Sequence, residues 1–218
     1  MNNKRNARNN MKKITLVLLL LLAVTSSTTA QQLFIEAGKT LSTFAYKNSQ
    51  GSSLENLQAS THSFMAIGYR KGFLTKKLSL SLGANYTGYG AIGSDTMLGN
   101  FMEWDVNYAG LTVGFDYKLF AIKKATFYIK AGTSYAILVQ GVQTHNNNVI
   151  DLKNKEDFDT ILFTNQVGTA VSYPVSESLS VYVEYLYGES IDTGSGLSKL
   201  IIRSNNLGFG LLFDISKK

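Results

Sequence analysis

The sequence predicts an all-β fold: an eight-stranded antiparallel up-and-down transmembrane β-barrel that follows a cleaved signal peptide. Three observations lead to this prediction: a basic and then apolar N-terminal segment, repeated alternation of apolar and polar residues, and alternating long and short connections. The composition agrees, because 218 residues include 12 Tyr, 12 Phe and 19 Gly but only one Pro, and only 17% are charged. Such a composition favours strands over helices.

Residues 1–30 have the order of a secretory signal peptide. A basic stretch ending at Lys13 precedes an apolar run over 14–24, and small residues follow as far as Ala30. The apolar run is shorter than the roughly 20 residues that a transmembrane helix needs. We therefore expect cleavage after Ala30 rather than a retained membrane anchor.

The basic charge of the chain is concentrated in this N-terminal segment. Five of the 21 basic residues precede Gln31 and none of the 15 acidic residues does, which leaves 16 basic against 15 acidic residues in the barrel domain, 31–218. A basic surface for nucleic acid is therefore not predicted. The chain has no Cys, which excludes disulfides, thiolate metal sites and a lipid-modified Cys at the cleavage point.

Alternation with a period of two residues predicts the strands and their two faces. The clearest copies lie at 78–87, 111–119, 127–137 and 206–215, and weaker ones begin near Leu33, Met65, Ile161 and Leu179. One face carries large aliphatic and aromatic groups, whereas the other carries mostly Gly, Ser and Thr. A narrow lumen accepts small residues and lipid accepts bulky apolar ones, so we expect the apolar face to contact lipid. The alternative is a soluble periplasmic β-sandwich or lipocalin-like binding barrel, because alternation alone does not decide which face points inward.

Connection lengths predict the direction of the barrel. Short turns are expected at 73–77, 121–124 and 174–178, and long polar connections at 47–60, 90–100, 143–157 and 189–199. In outer-membrane barrels the short turns lie in the periplasm and the long loops outside. We therefore expect an outer-membrane location with both termini in the periplasm. The expected partners are outer-membrane lipid, the barrel-insertion machinery during assembly, and other envelope proteins that contact the four long connections.

Aromatic residues near the strand ends predict two girdles at the membrane interfaces. The periplasmic girdle would contain Phe34, Tyr117, Phe120, Tyr173 and Phe213, and the outer girdle Tyr46, Tyr86, Tyr89, Trp104, Tyr185 and Tyr187. The alternative interpretation is that aromatic residues are simply common in strands.

Five charged residues fall on the predicted inward face of the barrel: Glu36, Arg70, Asp116, Lys130 and Glu184. A sixth, Lys118, lies near its lower end. An eight-stranded barrel has little free interior, so these groups must pair with one another. We interpret them as a structural, salt-bridged plug; the alternative is a membrane-embedded enzyme or a narrow conduit that uses these charges. An open diffusive channel is not expected, because water-filled pores need about sixteen strands.

No catalytic residue, metal site or cofactor is predicted. The chain has two histidines, His62 and His145. Neighbours in a strand point to opposite faces, so His62 and Ser63 do not pair, and we expect no nucleophile–base pair. Two histidines at unrelated positions also make a poor metal site. The sequence therefore favours a non-enzymatic structural, scaffold or surface-interaction protein.

Three segments carry a resemblance to a known family. They are the opening LFIEAG at 33–38, the hairpin segment AIGYR at 66–70 and the ending NLGFGLLF at 206–213. With these and a signal that starts Met11-Lys12-Lys13, the chain resembles the PorT-like outer-membrane β-barrel proteins of Bacteroidetes. The resemblance implies a small barrel and, for some members, a part in a protein secretion system. One departure is the ending, since such barrels often finish on an aromatic residue and here five residues follow Phe213.

Overall fold

The computed structural model describes residues 31–47, 57–95, 100–153, 158–191 and 199–215. The predicted signal peptide, 1–30, lies outside the described residues, as do parts of all four long connections. The strands in the described part of the chain are β1 (Gln31–Lys47), β2 (Gln58–Phe73), β3 (Thr75–Asp95), β4 (Asn100–Ile122), β5 (Ala125–His145), β6 (Asn148–Asp151), β7 (Leu162–Pro174), β8 (Leu179–Ser190) and β9 (Lys199–Asp214). Among these residues, none forms a helix with the length and apolarity to cross a membrane.

Eight of these strands form a closed antiparallel ring. Each long strand pairs with the next long strand along the chain, so that β5 pairs with β7. The first strand, β1, also pairs with the last, β9, with Gln32 opposite Asp214, and this pairing closes the ring. The short β6 folds back onto the end of β5 and stands outside the ring order. Closure leaves the eight long strands without a free edge. The predicted eight-stranded up-and-down barrel is therefore confirmed.

The three short turns lie where they were predicted, at one end of the barrel. Leu74 joins β2 to β3, Lys123 and Lys124 join β4 to β5, and residues 175–178 join β7 to β8. The first and last strands meet at this same end, where the amide of Ile215 donates to the carbonyl of Gln31 at 2.8 Å. We call this the turn end of the barrel and the opposite end the loop end.

Strand residues extend into all four predicted long connections, and furthest into two of them. Residues 90–95 continue β3 and pair with 100–105 of β4, so most of the predicted 90–100 connection is wrong. In the 143–157 connection, β5 runs to His145 and pairs with β6 across Asn146 and Asn147, which have φ of 47° and 67°. Asparagine tolerates this left-handed conformation, which suits a two-residue hairpin turn. The glycine-containing and asparagine-rich segments that were predicted to be loops thus form strands that extend the barrel wall.

A belt of large apolar side chains surrounds the outside of the barrel. Leu82, Leu111, Ile137, Leu207 and Phe209 are each between 52% and 60% exposed. The residues that alternate with them face the interior, as expected for strands. The predicted assignment of faces is therefore confirmed, and a soluble barrel with its apolar face inward does not fit. An exposed apolar surface of this extent is typical of a lipid-facing wall.

The interior at the loop end is apolar, which the sequence analysis did not predict. We call this cluster the apolar plug; its members are Phe44, Tyr89, Ala91, Trp104, Val106, Tyr108, Ala136, Leu138, Leu152, Phe158, Leu162, Leu200 and Ile202. Leu152 and Phe158 belong to the connection between β6 and β7, and the Tyr108 hydroxyl donates to the Phe158 carbonyl at 2.9 Å. Leu152 and Phe158 of this connection therefore pack into the barrel at its loop end.

The apolar plug corrects the predicted aromatic girdles. Tyr89 and Trp104 lie inside the barrel in the plug, and Phe34 lines the lumen at the turn end. Tyr46 packs against the plug from the same face of β1 as Phe44. Those four assignments are wrong, because the residues share a strand face with inward neighbours rather than with the belt. The girdle residues that the structure leaves exposed are Tyr117, Phe120, Tyr173 and Phe213 near the turn end, and Tyr185 and Tyr187 near the loop end.

Candidate functional site

All five predicted inward charges meet inside the barrel, in its turn-end half. Nε of Arg70 lies 2.9 Å from Oδ2 of Asp116, and Nζ of Lys130 lies 3.9 Å from Oδ1 of the same carboxylate. Lys130 also pairs with Oε2 of Glu184. We call Glu36, Arg70, Asp116, Lys130 and Glu184 the lumen charge network. Strand parity places these side chains inward from β1, β2, β4, β5 and β8.

Two tyrosines complete the network and were not predicted. The Tyr182 hydroxyl donates to Oε2 of Glu36, and the Tyr182 ring centroid lies 5.4 Å from Nζ of Lys130. The Arg70 guanidinium lies 4.6 Å from the ring centroid of Tyr128. Both tyrosines precede a network residue by two positions and share its face, which was the available signal. Each cation therefore has a carboxylate partner and an aromatic surface beside it.

Burial makes this pairing essential. Asp116 and Glu184 are 3% and 2% exposed, and Arg70 is 8% exposed. A carboxylate that is withdrawn from water needs a cation or hydrogen-bond donor, because desolvation otherwise outweighs every other contact that it makes. Two cations face three carboxylates here, and the third, Glu36, has the hydroxyl of Tyr182 as its donor.

A small cavity lies among these side chains. Its volume is about 90 Å³, and Glu36, Arg70, Asp116 and Lys130 are among the residues that line it. Pockets that hold small molecules usually measure roughly 300–1,000 Å³. The space in the turn-end half of the lumen is therefore suited to a few water molecules and is too small for a lipid or a sugar.

A second polar cluster, on the outer wall near the loop end, contains His62. Nε2 of His62 lies 2.9 Å from Oγ of Ser60, and Nδ1 lies 3.6 Å from Oδ1 of Asp105. A serine hydroxyl therefore lies within hydrogen-bond distance of His62, which the sequence analysis did not predict. The hydroxyl partner is Ser60, two residues before His62, and not Ser63. Residues two apart share a strand face, and this spacing was the signal available in the sequence.

Comparisons with known proteins place the chain beside small outer-membrane barrels. Neisserial surface protein A is 15% identical, with 84% of this chain and 97% of that chain covered and a TM-score of 0.48. The outer membrane protease OmpT from Escherichia coli is 8% identical, with coverage of 88% and 100% and a TM-score of 0.49. Outer membrane protein W of E. coli is 17% identical, with coverage of 85% and 98% and a TM-score of 0.44.

These neighbours differ in what their names describe, since one is a protease and another a surface protein. With identities of 17% or less and TM-scores of 0.49 or less, they say nothing about the activity or partners of this chain. No family model matches the chain, and no curated protein matches it. The resemblance to PorT-like barrels therefore stays an expectation from the sequence.

Proposed function

We propose that the chain is an integral outer-membrane β-barrel with a closed lumen, which serves as a structural, scaffold or surface-interaction protein through its loop end. One observation carries this proposal: the large apolar side chains face outward while the interior is filled at the loop end by packed side chains. A wall of this kind fits lipid. With the lumen closed, what the protein offers the cell is its outer surface.

In this proposal the lumen charge network is structural. Its carboxylates are paired with Arg70, Lys130 or the Tyr182 hydroxyl, and the cavity beside them is about 90 Å³. The apolar plug separates that cavity from the loop end. A membrane-embedded enzyme or a narrow conduit based on these charges would need a path for its substrate, and the described part of the lumen has none of that width.

The loop end offers the contact surface. The β3–β4 pairing continues to Asp95 opposite Asn100, and the β5–β6 hairpin presents Val149 with 70% of its surface exposed. These extensions, with the connections at 47–60, 143–157 and 189–199, would bind other envelope proteins. In line with the PorT-like resemblance, the barrel would act as an accessory to an envelope or protein-secretion assembly. In this orientation both termini lie in the periplasm.

Cell fractionation with heat-modifiable gel mobility tests the location, and Val113→Arg tests the lipid-facing wall. Val113 faces outward in the middle of the β4 belt, where an arginine should lower the free energy of unfolding by about 2–4 kcal/mol. Glu103 faces outward at the loop end of the same strand, and Glu103→Arg should cost about 0–1 kcal/mol. Urea unfolding in lipid vesicles measures both. Equal effects at the two positions, or a soluble mature protein without a mobility shift, would contradict the membrane location.

A closed lumen predicts the absence of ion conduction. Wild-type protein inserted in a planar bilayer should give no steady current, because the apolar plug and the paired charges fill the part of the lumen that the structure describes. A sixteen-stranded porin in the same bilayer provides the positive control. A stable, reproducible conductance from the folded wild-type barrel would show that the lumen is open and would favour a conduit.

A further inference from the structure

We propose that Ser60, His62 and Asp105 form a hydrolytic site on the outer wall of the barrel, with the carboxylic esters of membrane lipids as substrates. This inference goes beyond the proposed function and departs from the expectation of a non-enzymatic barrel. It is independent of the lumen charge network, which faces the interior on the other side of the wall.

Ser60 and Asp105 each lie beside one ring nitrogen of His62. The Ser60 hydroxyl lies 2.9 Å from Nε2 of His62, and Oδ1 of Asp105 lies 3.6 Å from Nδ1. Nδ2 of Asn107 donates to the same Asp105 oxygen at 3.2 Å. A proton on Nδ1, facing Asp105, leaves the Nε2 lone pair to accept the Ser60 hydroxyl proton. This is the order of nucleophile, general base and orienting carboxylate that activates a serine.

The pairing of β2 with β3 is irregular beside His62. Ala59 pairs with Ala91 and Phe64 with Thr87, so five residue steps along β2 match four along β3. The pairing with β1 stays regular, with Thr40 opposite His62, so the irregularity changes where His62 lies relative to β3; bulges often re-aim a side chain in this way. Phe64 remains buried in the lumen, whereas His62 lies against β3 from outside.

Two glycines form the slot in which the imidazole lies. Gly88 and Gly90 alternate with Tyr89, whose side chain is buried in the apolar plug, so their missing side chains would point outward. A Cβ at Gly90 would lie 2.2 Å from Nε2 of His62, and one at Gly88 would lie 2.9 Å from Cβ of His62. Because Gly88 and Gly90 have no side chains, the imidazole ring of His62 lies directly against the backbone of β3.

This slot explains how His62 reaches a carboxylate on β4. Gly88 pairs with Asn107 and Gly90 with Asp105, so β3 lies between the strand of the base and the strand of the acid. Strands two apart are roughly 10 Å from each other, and a side chain on the middle strand would block the contact. The side chain of His62 is 14% exposed and that of Asp105 is 57% exposed, so the base is held in place and the site opens to the outside.

The position of the site indicates the substrate class. On β2 the next outward residue toward the turn end is exposed Ser63, and after it come Met65 and Ile67, 60% and 57% exposed in the apolar belt. On β4, Asp105 and Asn107 are polar outward residues on the loop-end side of exposed Leu111. The site therefore lies at the border between belt and polar surface, the level at which a lipid has its ester groups between acyl chains and headgroup. An acyl chain would lie along the belt and its ester carbonyl would reach Ser60.

The reaction is ordinary ester hydrolysis. Oγ of Ser60 bonds to the carbonyl carbon while its proton passes to Nε2 of His62. The ester C–O bond then breaks, and the leaving alkoxide takes that proton and departs as the alcohol. Water attacks the acyl–serine, its proton passes through Nε2 to Oγ as the acid leaves, and the net reaction is ester plus water giving carboxylic acid plus alcohol.

The test uses purified folded barrel, checked by heat-modifiable mobility, in mixed micelles with didecanoyl phosphatidylcholine, and a fluorophosphonate probe for the nucleophile. Wild type should release decanoic acid and carry the probe on Ser60. Ser60→Ala should abolish labelling, and both Ser60→Ala and His62→Gln should lower the rate by at least about 100-fold. Ser63→Ala removes a hydroxyl next to His62 in the sequence and should leave the rate unchanged.

Asp105 acts as a positioning residue, so its variants need a different readout. Asp105→Asn should lower kcat by about tenfold with little change in KM, and Asp105→Glu should retain more of kcat than the amide. Folded wild type that neither hydrolyses the lipid nor takes up the probe would overturn the site. Hydrolysis of p-nitrophenyl butyrate without hydrolysis of the lipid would overturn the substrate class. An equal loss of rate in Ser63→Ala would overturn the assignment of Ser60.

Discussion

Replacing Lys130 with methionine is expected to lower the free energy of unfolding by about 3–5 kcal/mol. Lys130 pairs with Glu184 and lies 3.9 Å from Asp116, and these carboxylates are 2% and 3% exposed. Methionine retains most of the length and packing of lysine, so the decrease in the free energy of unfolding reports on the missing charge. The three carboxylates of the lumen charge network would then face Arg70 alone. Urea unfolding of vesicle-embedded protein, followed by the loss of heat-modifiable gel mobility, measures the change.

Two further variants make this result specific. Lys130→Met combined with Glu184→Gln removes the unpaired carboxylate together with its cation, so the double variant should recover part of the lost stability. Lys124→Met makes the same substitution in an exposed turn and should change stability by no more than about 0.5 kcal/mol. If Lys130→Met were as stable as wild type, the lumen charge network would not be a structural plug, and a binding or proton-handling role would replace that interpretation.

The barrel was predictable because lipid and lumen make opposite demands on adjacent residues. In β9, Leu207 and Phe209 face outward while Gly208 and Gly210 face the narrow lumen, and the same contrast recurs in β3, β4 and β5. The sequence of each strand therefore indicates which of its two faces points toward lipid. The lumen charge network followed from the same parity, which is why five residues from five strands were grouped correctly without any knowledge of pairing.

The apolar plug was not predictable by that argument. At the loop end the interior is itself apolar, so both faces of a strand carry similar residues; Leu200 and Ile202 point inward and Ile201 between them is also apolar. Alternation then gives no contrast, and Trp104 and Tyr89 were assigned to a membrane girdle. The extensions of β3 and β5 were missed for a related reason, since Gly and Asn at a barrel rim serve hairpins as well as loops.

The Ser60, His62 and Asp105 cluster depends on features that a single sequence does not display. A bulge in β2 changes where His62 lies relative to β3, and nothing in the composition of residues 59–64 marks the extra residue. The acid comes from β4, two strands away in the ring, and the contact exists only because Gly88 and Gly90 leave β3 bare. Only the spacing of Ser60 and His62 was readable in advance.

Trp104→Ala is expected to lower the free energy of unfolding by about 3–5 kcal/mol. Trp104 is 6% exposed and packs edge-on to Phe44 with ring centroids 6.3 Å apart, and Phe44 in turn contacts Phe158 at 6.0 Å. Removing the indole would leave a cavity in the centre of the apolar plug and would loosen the connection that carries Phe158. Urea unfolding in vesicles measures the loss.

Fluorescence tests the same placement without disturbing the plug. Trp104 is the single tryptophan of the chain, so its emission reports on one site. Because the indole lies inside the barrel, brominated lipids should quench it weakly. In the variant Trp104→Phe/Tyr135→Trp the reporter moves to an outward position that is 53% exposed in the belt, and quenching should be strong. Strong quenching of Trp104 itself would show that its side chain lies at the membrane interface. The apolar plug would then lack its tryptophan, and the placement of Trp104 inside the barrel would be contradicted.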